Sequence, residues 1–181
     1  APAARAVPTP EIRYGTEPTQ AIDVFLPAGS GPSPLVVLIH GGCWSERTAD
    51  RQQLRHLGAD LAAHGIATWS IGYRRANEIG GGYPNTFLDV GAAVDLLRGQ
   101  ATKYHLDLER TVLVGHSAGG HLALWAASRA QLPLNSPLRV PTPFIPSKVV
   151  SIAGIGDLET YAPQITPICG PGVGENFVGS S

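Results

Sequence analysis

Residues 111–121 read Thr-Val-Leu-Val-Gly-His-Ser-Ala-Gly-Gly-His. Within them, Gly115-His116-Ser117-Ala118-Gly119 has the form G-x-S-x-G. It follows an apolar β-branched run and precedes a helical one, the setting in which a serine serves as a nucleophile. The chain must reverse sharply at Ser117, in a backbone conformation that lifts Oγ above the end of a sheet. Side chains two residues to either side would collide there, so both positions favour Gly. The helix beginning after the turn brings N–H groups and a positive dipole end that suit a developing oxyanion. The plainer alternative is a glycine-rich strand–helix turn that only packs tightly.

A second segment, His40-Gly41-Gly42-Cys43-Trp44, directly follows the apolar run 35–39. The backbone N–H groups of Gly42 and Cys43 could converge with that of Ala118 on one oxygen, forming an oxyanion hole. His40 reads as a structural histidine that holds this loop by hydrogen bonds. Trp44 either lines a substrate pocket or packs. The only cysteines, Cys43 and Cys169, are too few for a disulfide scaffold or a four-ligand zinc site. Both fall on loops at the same end of the expected sheet. A bridge between them would tie the loop at 40–44 to the chain after the last strand; two buried free thiols are the alternative.

These segments need a sheet to position them. Short β-branched runs alternate with longer helical patterns, which predicts a mainly parallel, doubly wound sheet with helices on both faces. Weak strands at 11–14 and 21–26 read as an antiparallel edge. Further strands are expected at 35–39, 66–71, 111–114 and 149–152, and helices over 48–64, from Pro84 onward, and over 117–130. The first helix would turn Leu54, Leu57, Leu61 and Ala62 inward; the second Phe87, Val90, Ala93, Val94 and Leu97. Gly80-Gly81-Gly82 reads as a loose loop, and the chain after Gly154 as irregular. Loops that follow strands lie at the carboxyl end of such a sheet, where ligands bind. The Pro-rich stretch 133–146 follows a helix, so it belongs to the other end, as a rigid connection.

Composition bounds the rest. The chain has 181 residues, one domain's worth, with 13 Lys+Arg against 14 Asp+Glu and only 15% charged residues. No basic cluster appears, so phosphate-backbone binding and nucleic-acid partners are not expected. No apolar run is long enough for a membrane span. With 43% hydrophobic residues the chain can build a core. The opening Ala1-Pro-Ala-Ala-Arg-Ala resembles a mature terminus left by signal-peptide removal, and equally a cleaved tag. Localisation is therefore open between export and cytoplasm.

The paired motifs, with Tyr73-Arg74-Arg75, Tyr83-Pro84, Asp89 and the segment 154–158, resemble the α/β-hydrolase superfamily. The likeness is to its branch carrying HGG-x-W and GHSAGGH, which includes arylformamidases and hormone-sensitive-lipase-like esterases. It runs from about Tyr14 to the end. It implies a serine hydrolase, with Ser117 as nucleophile, Gly42, Cys43 and Ala118 as oxyanion donors, and no metal or organic cofactor.

One departure stands out. The triad in this fold runs Ser, acid, His, yet no His follows His121. His116 should point away from Ser117 Oγ, and His121 lies one turn down the helix. His64 and His105 precede strands, His56 rides a covering helix, and His40 sits in the oxyanion loop. None is expected to be the base. Asp157 is either the acid or a cap on the turn after the last strand. Two more strand–helix units would need ~50 residues. The single domain is thus expected to be C-terminally incomplete, with the triad acid and His beyond residue 181 and that segment packing on the exposed sheet edge. The leading expectation is cleavage of carboxylic esters or aryl amides through an acyl-enzyme at Ser117. An arylformamidase is the alternative enzyme, and a catalytically dead binding module the alternative of another class.

Overall fold

The computed structural model describes residues 11–45, 49–172 and 177. The opening Ala1 to Ala6 stretch and Thr48, where the first helix was expected to start, lie outside them. Six strands, β1 (Glu11–Arg13), β2 (Ala21–Phe25), β3 (Ser33–Ile39), β4 (Ala67–Ile71), β5 (Leu106–His116) and β6 (Lys148–Ile152), form one sheet in the order β1-β2-β4-β3-β5-β6. β1 pairs antiparallel with β2 and β2 antiparallel with β4, while β4, β3, β5 and β6 are parallel. The doubly wound expectation holds. The antiparallel edge is formed as expected, with β1 outermost and β2 between it and β4. β2 is buried at every position, and its Asp23 is paired to Arg51 at 3.0 Å and Arg55 at 2.7 Å. A buried carboxylate must be paired in this way.

Among the described residues, regular α-helix starts at Arg55. Asp50 accepts the N–H of Gln52 and caps a 3-10 turn, Arg51–Leu54, from which α1 (Arg55–Ala63) continues. The expected inward leucine face is also corrected, since Leu57 is 44% exposed. The buried residue of α1 is Gly58, where a Cβ would meet the Phe25 ring at 2.6 Å. The sheet approaches the helix through a missing side chain, which a count of leucines does not register.

In α2 (Asn85–Asp95) the expected stripe is buried, and its last member, Leu97, opens the short α3 (Leu97–Gln100). The turn before α2 is tight, not loose. Gly82 N donates to Thr86 Oγ1 at 3.0 Å, and a Cβ on Gly81 would fall 1.7 Å from the Arg75 carbonyl oxygen. The Pro-rich connection is pinned as a rigid segment should be. Arg98 donates to the carbonyls of Thr142 and Pro143, and Phe144 N donates to Asp95.

After β5 comes α4 (Ala118–Ser128), a short 3-10 turn, and then β6. The chain beyond Gly154 is not irregular but forms α5 (Leu158–Cys169). Pro163 and Pro167 lie inside it. Each lacks the N–H a helix interior uses, and this disguises the helix in the sequence. β6 ends the sheet among the described residues, with Val150 45% and Ile152 51% exposed on an unpaired flank. Among the described residues, no helix is long and apolar enough to cross a membrane.

Candidate active site

Ser117 joins β5 to α4 with φ 53° and ψ −120°. A non-glycine residue at positive φ costs about 1–3 kcal/mol and persists only where its surroundings over-determine it. Here they do. Ser117 N donates to the Ile152 carbonyl of β6 at 2.8 Å, and the Ser117 carbonyl accepts His121 N at 3.1 Å. The flanking glycines are required by close approach. A Cβ on Gly115 would lie 2.0 Å from Gly119 O, and one on Gly119 would lie 2.1 Å from Ile39 O. Ser117 is half-buried, and Ala118 behind it is fully buried.

The segment after β3 lies against this turn. A Cβ on Gly41 would sit 3.3 Å from Ser117 Cβ. Three consecutive residues then take positive φ: Gly42 at 98°, Cys43 at 53° and Trp44 at 50°. Hydrogen bonds hold the curl, from Ser45 N to Gly42 O at 2.9 Å and from Ala76 N to Trp44 O at 2.7 Å. Trp44 takes the packing alternative. Its side chain has no exposed surface and meets His121 edge-on at 5.5 Å and Phe177 at 5.1 Å. Cys43 is bonded to Cys169 at the end of α5, 126 residues away, so the bridge between the 40–44 loop and the chain after β6 is formed.

His40 is 1% exposed; its Nδ1 lies 2.9 Å from Gly41 O and its ring stacks on Tyr73. Burial pushes its imidazole down to about 4. His121, packed between Trp44 and Phe87, is pushed down to about 4 by the same cause. General bases work best with a pKa near the operating pH, so neither suits that task. His116, His56, His64 and His105 are exposed. Among the described residues, no histidine is hydrogen-bonded to the Ser117 hydroxyl. Asp157 takes the capping alternative. It accepts Thr160 N at 3.0 Å and the Thr160 hydroxyl at 2.7 Å, which holds its carboxyl below the ordinary range. No group of three or more His, Cys, Asp or Glu that could hold a metal occurs among the described residues.

Two supporting residues carry roles that the motif reading left unassigned. Tyr73 clamps His40, and Asp89 holds Arg74 by bonds of 2.7 Å and 2.8 Å while accepting from Gln20. Both stand outside the two glycine motifs, and their partners are distant in sequence.

Residues 22–166, most of the chain, match the BD-FAE family. The chain belongs to the BD-FAE family. This BD-FAE chain is 32% identical over 126 residues to esterase LipC of Mycobacterium tuberculosis, covering 67% of itself and 30% of that protein. It is 30% identical over 122 residues to the kynurenine formamidase of Danio rerio, covering 65% of itself and 38% of that protein. An inhibited esterase B from Lactobacillus rhamnosis superposes with a TM-score of 0.72 at 27% identity, over 90% of this chain and 55% of the other. The BD-FAE chain thus spans from 30% of LipC to 55% of esterase B. The resemblance read from residues 40–44 and 115–119 holds, down to its arylformamidase-like branch, and the fold is that of the α/β-hydrolases.

Proposed function

We propose that residues 1–181 belong to one α/β-hydrolase domain of a serine hydrolase that cleaves carboxylic esters. The observation that carries this reading is Ser117 held at φ 53° between β5 and α4, with the glycine loop 40–44 packed against it. Esterase LipC and esterase B, both similar to this chain in sequence, support the same class.

In this reading Ser117 Oγ bonds to the acyl carbon as its proton passes to a histidine. The tetrahedral oxyanion accepts hydrogen bonds from the N–H groups of Gly42, Cys43 and Ala118. That of Ala118 sits in the first turn of α4, where it has no intrahelical acceptor and the helix dipole is positive. Losing one such donor costs ~3 kcal/mol of transition-state stabilisation. The C–O bond to the alcohol then breaks, the imidazolium returns its proton to that alcohol, and water hydrolyses the acyl-enzyme by the same steps. The burial of His40 and His121 and the capping role of Asp157 favour a triad histidine and acid supplied after residue 181, on chain that packs along β6. No cofactor enters any step.

The test is Ser117→Ala in the native protein. Hydrolysis of a simple aryl ester and labelling by a fluorophosphonate should both be lost while the circular dichroism is kept. Near-wild-type turnover by the variant would overturn the reading, and a wild type that neither turns over nor labels would favour a binding module. The likeness to a kynurenine formamidase supports a second reading, an arylformamidase using the same residues. Comparing kcat/KM for an N-formyl arylamine and an aryl acetate separates the two.

A further inference from the structure

The segment that curls around Ser117 is anchored at three points, and one is covalent. At its start, His40 is stacked on Tyr73, whose hydroxyl donates to the His40 carbonyl at 2.8 Å. At its end, Trp44 is buried and its carbonyl accepts Ala76 N. Between them Cys43, itself at positive φ, is joined to Cys169. That bond closes a ring of structure. Ser117 N is hydrogen-bonded to Ile152 at the end of β6. From there the chain passes Asp157 into α5, runs to Cys169 and crosses to Cys43, two residues from the Gly41 that abuts Ser117. The nucleophile and the curl opposite it are thus fixed to each other from both sides. α5 does little to hold its own far end by packing. Its buried residues are Leu158 and Ile165, while Ile168, beside the bridge, is 79% exposed.

We infer that Cys169 is a positioning residue, which through its bond to Cys43 aims the Gly42 and Cys43 peptide N–H groups at the oxygen developing on the Ser117 adduct. The inference rests on the esterase reading above. Donors of this kind act on charge that appears only in the transition state, so misaiming them slows chemistry without loosening the substrate.

The experiment compares wild type, Cys169→Ser and Ser117→Ala of the native protein on an aryl ester, with kcat and KM measured separately. Cys169→Ser is expected to lower kcat by on the order of 10- to 100-fold, the cost of a displacement of about 1 Å at a reacting centre, with KM changed less than about twofold. A tris(2-carboxyethyl)phosphine time course on folded wild type supplies the same comparison should the variant not fold. Activity should fall as thiols appear by mass-tagging and ahead of any loss of circular dichroism, and should return on reoxidation. Cys169→Ser should not respond to the reductant. An unchanged kcat with the bridge open, or an activity loss that follows the loss of secondary structure, overturns the positioning role while leaving the esterase reading intact. Activity retained by Ser117→Ala overturns the esterase reading and the inference with it.

Discussion

The imidazole of His40 lies parallel to the ring of Tyr73, 4.3 Å between centroids and 6° apart in plane, and the Tyr73 hydroxyl binds the His40 carbonyl. The stack is buried, which is why His40 titrates near 4 and not near 6.5, and His121 does likewise. Both folded values lie below the unfolded one, so the unfolded chain takes up more protons between them. Stability is then complete above pH 6.5 and is lost as the pH falls toward 4. Linkage puts the loss at about 3 kcal/mol per histidine. Urea unfolding at about pH 7 and about pH 4.5 should show it; equal stabilities at the two would contradict the burial of both rings.

Ser117→Gly should raise stability by about 1 kcal/mol while removing hydrolysis. Gly adopts φ 53°, ψ −120° without the Cβ penalty. Thermal melts read the first effect and ester turnover the second. A variant less stable than wild type would show that the turn stores no strain.

Gly119→Ala and Gly99→Ala should differ in sign. A Cβ at Gly119 meets the carbonyl oxygens of Ile39 and His40 at 2.1 Å and 2.5 Å, so α4 would have to leave the sheet, at ~3 kcal/mol or more. A Cβ at Gly99, in α3, meets nothing within 4 Å and should stabilise by about 0.5–1 kcal/mol. Denaturant midpoints at constant slope compare the two.

Asp157→Ala should lower the melting temperature by removing the N-cap of α5, with turnover within about twofold of wild type. A hundredfold drop in kcat would instead make Asp157 the triad acid.

The legible parts of this molecule were those whose causes are contiguous in sequence. Gly115 to Gly119 announces its turn because steric demand and chemical use fall within five neighbouring positions, and the run at β3 is apolar because both faces of that strand are covered. The parts that were missed depend on partners far along the chain. Gly58 packs against Phe25, a contact between different elements that a leucine pattern cannot show. α5 is concealed by its two prolines and becomes visible through the Asp157 cap and the bridge at its end. For Cys43 and Cys169, loop positions alone allowed either a bond or two thiols; the 5.2 Å between their Cα atoms decides it. The triad acid and histidine have no assignable position in the motifs, and among the described residues no histidine is hydrogen-bonded to the Ser117 hydroxyl.

Trp44 sits where the bridge and the buried imidazole meet, adjacent to Cys43 in sequence and edge-on to His121. Disulfides and protonated imidazoles both quench indole emission by accepting an electron from the excited ring. Trp69 is engaged elsewhere, donating to Ala93 O in the core, and Trp125 meets Phe87 edge-on. The protein therefore carries an intrinsic optical gauge of its own loop. Emission from Trp44 should brighten when the bridge opens and dim when His121 takes a proton, so each event can be followed in real time without a label.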